Sequence, residues 1–247
     1  MSYSLFARYY DALTMNVSYD TIAKRYDELV TRFGGRKDIL LDLGCGTGSL
    51  CECMARLGYD CIGIDNSEDM LNEAFDKKYD SGLNIQYLCQ DMTALDMFGT
   101  IDVTVSSLDC LNHLESLDDV KKTFERVSLF AYPDGLFIFD MNTPYKHKCV
   151  LGDNVFVYDT EDVYCVWQNS FVDEDNKVEI TLDFFERDGD IYERQSEQFC
   201  ELAYDDEVIK RLLCECGFEL LAQYDDFSDN EVTEKTQRIL YVAKKVK

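Results

Sequence analysis

The chain has 247 residues, 46% of them hydrophobic, which is enough to bury a full core and fits one large α/β unit spanning 1–247. Asp and Glu number 49 against 24 Lys and Arg, and the formal net charge of −25 argues against DNA, RNA or any partner gripped through phosphates, since that grip rests on cations. Two prolines, no Gly/Ser tract and no internal repeat leave nothing that reads as a linker.

The start, "MSYSLFARYYDAL", has neither the basic nor the apolar region of a signal peptide, and no stretch approaches the ~18 apolar residues of a membrane span. A soluble, cytoplasmic protein with no membrane partner is expected, as monomer or homodimer. Residues 18–33 open with Ser18 as a cap and place Ile22, Tyr26, Leu29, Val30 and Phe33 at helical spacing before Gly34 and Gly35 end the helix. The pattern then alternates: strand 39–43, helix 48–57, strand 60–64, helix 67–78, strand 85–89, strand 101–106, helix 117–130, the turn "YPDG" and strand 136–140. Such alternation means βαβ units and a parallel sheet that binds ligands at the carboxyl ends of its strands.

After Pro144 the segments 154–160, 163–173, 177–187 and 191–202 are extended, rich in Val, Tyr, Phe and Thr, and broken by the acidic turns "DTED", "VDEDNK" and "RDGD". They predict an antiparallel meander, an inserted lid over 150–202, whose inner face is expected to carry Trp167, Phe171 and Phe185. A helix over 204–216, closed by Gly217, and strands near 218–225 and 237–245 return to the main sheet. The eleven cysteines read as reduced core thiols, as in "YDCIGID" and "QYLCQD". Cys51 and Cys53, like Cys214 and Cys216, stand two apart on predicted helices and point to different faces, so no metal is expected.

The stretch "ILLDLGCGTGSL" runs from strand to helix through Gly44, Gly46 and Gly48, with Asp42 in the strand. The spacing is G-x-G-x-G rather than the G-x-G-x-x-G of a dinucleotide turn, and no Gly-Lys-Ser/Thr follows to make a phosphate loop. The glycines admit a ligand close to the backbone, and the helix start favours a carboxylate. In "CIGIDNSEDML" a strand ends in Asp65, placed to accept both hydrogen bonds of a ribose diol, with Asn66 beside it in the cofactor set, while Asn66 or Ser67 serves the helix cap better than Asp65 does. In "LCQDMTAL" Asp91 can accept from an adenine amino group, with the Met92 amide donating to the ring. A nucleoside, a carboxylate and no phosphate grip describe S-adenosylmethionine.

These residues resemble the class I S-adenosylmethionine-dependent methyltransferases over roughly residues 36 to 140 and again in the last strands. "LDLGCGTG" is similar to the family's first motif, Asp65 to its second-strand acid, "QDM" to its adenine site and "IDVTVSSLDCLNHL" to its fourth motif, where Asp102 is structural and backbone near Ser107 faces the cofactor. "PDG" stands where relatives have Pro-Gly-Gly. The resemblance implies a Rossmann-like, seven-stranded, mostly parallel sheet whose last strand is antiparallel, and adds Cys45 and Met70 to the cofactor set. "FARYYDALTMNVSYD" and the meander resemble the glycine and amino-sugar N-methyltransferase branch, in which the N-terminal segment closes over the cofactor and the extra sheet covers a small-molecule acceptor.

Methyl transfer from a sulfonium needs alignment and dryness more than side-chain chemistry. An amine acceptor must be neutral when it attacks, and His113, Tyr10 and Tyr19 are the candidate bases; Tyr10 and Tyr19 also suit a lid over the methionine end. Asp140 and Asn142, closing the fifth strand, and Trp167 in the meander are candidate acceptor contacts. Two other readings stay open: a non-catalytic S-adenosylmethionine sensor, and a nucleotide-dependent oxidoreductase, against which stand the missing third glycine and the absent Tyr-x-x-x-Lys pair.

Overall fold

The computed structural model describes residues 4–173, 176–189 and 191–246. A first helix, α1 (Ser4–Leu13), precedes α2 (Tyr19–Arg32), which starts where the Ser18 hydroxyl accepts the Thr21 amide. Then come β1 (Ile39–Leu43), α3 (Ser49–Arg56), β2 (Asp60–Asp65), α4 (Glu68–Ser81), β3 (Ile85–Cys89), β4 (Ile101–Ser106), α5 (Leu117–Phe130) and β5 (Ala131–Asn142). Four more strands follow, β6 (Val155–Asp159), β7 (Val163–Val172), β8 (Lys177–Asp188) and β9 (Ile191–Leu202), and the chain ends with α6 (Asp206–Glu215), β10 (Phe218–Asp225) and β11 (Arg238–Lys245).

Seven strands form one sheet in the order β3-β2-β1-β4-β5-β11-β10, parallel except for β11, which runs antiparallel to both neighbours. Strand side chains alternate between two helical layers. Leu40, Val103, Ile138 and Leu240 pack under α2, α3 and α4, while Leu41, Leu43, Phe137, Phe139 and Tyr241 pack under α5 and α6. The predicted strand 136–140 is longer at its start. Ala131 already pairs with Ile101, "YPDG" bulges out with Asp134 at φ +66°, and the ladder resumes with Leu136 opposite Val103. Among the described residues no helix is long and apolar enough to cross a membrane.

β6 to β9 form the second, antiparallel sheet in sequence order, as the alternating pattern predicts. Parts of the turns "VDEDNK" and "RDGD" lie outside the described residues. Its inner face buries Val163, Cys165, Val178, Ile180, Leu182 and Phe184 against Phe6, Ala7, Tyr9 and Leu13 of α1 and against Met70. Trp167 and Phe171 are on that face, but Phe185 is not: it pairs with Tyr164 on the outer face, under the Arg194 guanidinium. The expectation of uniformly buried cysteines also needs correcting. Cys45, Cys51, Cys61, Cys165 and Cys216 are buried, whereas Cys89, at the end of edge strand β3, is exposed with Cys149, Cys200 and Cys214.

Candidate active site

From β1 the chain crosses to β2 on one side, while β4 pairs on the other, so the crevice of the sheet opens at the end of β1. The glycine loop lies there, with Gly44, Gly46 and Gly48 at φ of +78°, +51° and +75°. Each glycine answers a different demand. A Cβ on Gly44 would come within 2.9 Å of the Cys110 thiol and one on Gly48 would strike the Tyr87 hydroxyl, but one on Gly46 would meet open space. Gly46 is therefore the backbone a ligand can approach. The cleft beside it measures about 480 Å³, a volume suited to a small ligand.

Gly44, Gly46, Asp65, Asn66, Met70, Asp91 and Met92 all line this cleft, together with Tyr10 and His113, so most of the residues singled out from the sequence converge. The Asp65 carboxylate accepts the Gly46 amide at 2.9 Å through Oδ2 and the Ser67 amide at 2.9 Å through Oδ1, which ties the end of β2 to the glycine loop. Burial holds its carboxyl above the usual range, and those two amides pull it back. Asp91 accepts the amide and hydroxyl of Thr93 through Oδ1, both at 2.8 Å. The glycine cradle, the Asp65 acceptor and the Asp91–Met92 edge fit the carboxylate, ribose and adenine of an adenosyl sulfonium.

Cys45 is buried and Gly48 caps α3, and neither lines the cleft; the same holds for Tyr19 and Asp42. Asp42 is 1% exposed, accepts the Cys51 thiol at 3.2 Å, and burial pushes its carboxyl up to about 7. It supports the loop from beneath rather than meeting a ligand. Ser107 is likewise buried, its hydroxyl shared with Tyr26 at 2.6 Å; the next residue, Leu108, reaches the cleft instead, at φ +58°. Burial drives the Tyr10 phenol well above its ordinary range and Tyr19 up to about 12, and Tyr10 forms a wall of the cleft, packed edge-on against Phe6 at 5.2 Å.

The three expected acceptor contacts are structural. Asp140, wholly buried, accepts the amides of Leu108 and Asp109 at 2.7 and 2.8 Å and pairs with Arg238, thereby clamping the strained turn after β4. Asn142 is 2% exposed and spends its side chain on Asp109, Glu201 and Lys146. Trp167 donates its indole N–H to Asn169 at 2.7 Å and does not reach the cleft. A second cavity of about 550 Å³ is lined by Arg238, Lys146, Asp225 and Asp226 and lacks the glycine cradle.

His113, in the short turn Cys110–His113, lines the cleft with its ring 5.3 Å from that of Phe199. Behind it lies Glu201, which the sequence reading missed. Asp109, His113 and Glu201 bring ligand atoms within 4.8 Å of one another, yet both Asp109 oxygens are engaged, by Arg238 at 2.6 Å and Asn142 at 2.9 Å. Arg238 and the nearby Lys146 hold the Asp109 carboxyl well below its usual range against the pull of burial, and Arg238 already supplies the counter-charge to this carboxylate.

Residues 40–135 match the model of a methyltransferase domain family. A protein of Geobacillus named as a methyltransferase is 34% identical over 99% of this chain and 100% of its own. The crystal structure of an S-adenosylmethionine-dependent methyltransferase from Clostridium acetobutylicum is 35% identical, covers 99% of each chain and superposes with a TM-score of 0.89. A cofactor-bound amino pentose methyltransferase from Micromonospora echinaspora shares the fold, with a TM-score of 0.75 at 18% identity over 96% of each chain.

Proposed function

The chain belongs to the S-adenosylmethionine-dependent methyltransferases, and we propose that its acceptor is a small molecule, an amine first of all, held at the His113 end of the cleft. S-adenosylmethionine, its cofactor, supplies a methyl group on a sulfonium. The observation that carries the acceptor reading is the make-up of the cleft. It is roofed by Phe6 and Tyr10 of α1, and beyond Asp65 and Asp91, which face the cofactor, its lining carboxylates are Glu115 and Asp119, with, among the described residues, no Lys or Arg. A nucleic-acid backbone finds no counter-charge there, and a cationic or amine-bearing molecule does.

The chain's own work is to align, to exclude water and to take up a proton. α1 is held as a roof because Phe6, Ala7, Tyr9 and Leu13 bury against the second sheet, and because Asp11 accepts the Thr47 hydroxyl at 2.8 Å and pairs with Lys77. The sheet of residues 150–202 thus supports the lid rather than forming its inner surface. His113 is the proton acceptor of this reading, facing the space where an acceptor nitrogen must come within about 3 Å of the methyl carbon.

The test is turnover with a panel of small amines, amino sugars and hydroxy acids, and with total RNA, read by mass detection of S-adenosylhomocysteine. Turnover with an amine is expected. Preferential methylation of RNA overturns the reading, and tight cofactor binding with no methyl ever released points to a sensor.

A further inference from the structure

The chain has two histidines, and each turns its Nε2 toward the same buried carboxylate. Glu201, at the end of β9, is 3% exposed. Its Oε1 lies 3.8 Å from His113 Nε2, and its Oε2 lies 3.5 Å from His147 Nε2 while accepting from Asn142 at 3.2 Å. His147 is fully buried, and its Nδ1 sits 2.8 Å from the carbonyl oxygen of Asn176. A carbonyl only accepts, so that nitrogen carries the proton and fixes the ring from behind. His113 is the outer member: its side chain is 32% exposed and lines the cleft.

Two chemically identical rings thus receive different roles from their surroundings. Asn142 holds Glu201 in place by donating to Oε2, the unprotonated Nε2 of His147 abuts that oxygen without donating to it, and the other carboxylate oxygen, Oε1, is aimed at His113. Asp109, a second anion near His113, is held by Arg238 and Asn142, and Asp65 across the cleft also feels the charge of His113. The 3.8 Å separation exceeds a formed hydrogen bond, and contacts of this kind commonly tighten once the reactants are in place.

Building on the methyl-transfer reading above, we propose that Glu201 is a positioning residue for His113: it selects the tautomer with the proton on Nε2 and so leaves the Nδ1 lone pair as the base that faces the acceptor. In the step itself, the acceptor lone pair bonds to the methyl carbon, the electron pair of the C–S bond stays on sulfur, and the acceptor's proton passes to Nδ1. One cation, the sulfonium, is consumed and one, the imidazolium, forms beside Glu201, so charge and atoms balance.

The experiment uses the full chain with 15N-labelled histidine, saturated with S-adenosylhomocysteine, in alkaline solution where neutral rings are observed. Ring nitrogen shifts report the tautomer of each histidine, and His113→Gln assigns the two sets. In the wild type His113 is expected to be at least tenfold biased to Nε2–H, with His147 held on Nδ1–H as an internal reference. Glu201→Met should erase the His113 bias and Glu201→Asp should restore part of it, with S-adenosylhomocysteine affinity within threefold of wild type in both. Glu201→Gln, which keeps an acceptor in the same place, serves if the Met variant does not fold, and should weaken the bias. An unchanged His113 tautomer in a folded Met or Gln variant overturns the proposal. A biased His113 in a protein that methylates none of the panel supports the pairing and overturns the acceptor reading, so the two fail separately.

Discussion

Replacing Asp65 by Ala removes one carboxylate that does two jobs. Its oxygens hold the Gly46 and Ser67 amides, each at 2.9 Å, and the same oxygens retain lone pairs toward the cleft, where a ribose diol can donate. Charge-assisted hydrogen bonds contribute about 1.5 to 3 kcal/mol each, so two lost to the ribose set a ceiling of ~3 to 6 kcal/mol. Water refilling the vacated volume returns part of this, and with ~1.4 kcal/mol per decade we expect cofactor affinity to fall by at least tenfold and by roughly a hundredfold. The loop term is separate. The two freed amides cost stability even in the apo protein, about 1 kcal/mol or more each where water cannot reach them. Calorimetric titration with S-adenosylhomocysteine reads the first effect and melting of the apo protein reads the second. Asp65→Asn keeps one acceptor oxygen and should fall between wild type and Ala in both. Affinity within twofold of wild type for Asp65→Ala would refute the assignment of the ribose to this carboxylate.

Gly46→Ala and Gly48→Ala carry the same kind of left-handed backbone strain, at φ +51° and +75°, and both should lower apo melting; the Gly46 methyl enters the open cleft and should weaken cofactor binding more, whereas the Gly48 methyl is also driven into the Tyr87 hydroxyl and should lower melting more. The reverse ranking in paired melting and titration experiments would show that the cradle has been misread. Asp42 gives a pH signature: burial raises its carboxyl from 3.8 to about 7, against the Cys51 hydrogen bond, so the native chain keeps a proton that the unfolded chain releases. That contribution is greatest at the acid end of this interval and is lost as pH rises toward 7, at ~1.4 kcal/mol per pH unit. Denaturant unfolding at pH 5 and pH 8 should therefore show Asp42→Asn losing less stability than wild type between the two, by up to about 3 kcal/mol; equal slopes would refute it.

What the sequence disclosed follows the range of the interaction that each residue serves. The main strands were legible because burial on both faces between two helical layers leaves a near-continuous apolar run of five or six residues, as in Ile39–Leu43, and the cofactor edge was legible because Gly46, Asp65 and Asp91 stand at or just past strand ends on the same side of one sheet. α1 carries Phe6, Tyr9, Tyr10 and Leu13 at helical spacing and yet was not read as a helix, since its partner is not a neighbouring strand but the inner face of a sheet formed more than 150 residues later. Asp140 and Asn142 show the opposite failure. Their place at a strand end suggested ligand contact, but Arg238, arriving antiparallel on β11, and the strained turn at Leu108 and Asp109 consume their polar atoms. Glu201 had no local mark at all. β9 carries Glu193, Glu197 and Glu201 four apart on one face, and only its place at the strand's end, opposite Val178, beside Phe199 and beneath His113, separates Glu201 from the exposed Glu193. A carboxylate that sequence pattern assigns to the surface is thereby brought against the two imidazoles of the chain, and the chemistry at the acceptor end of the cleft depends on a contact that exists only once both sheets have formed.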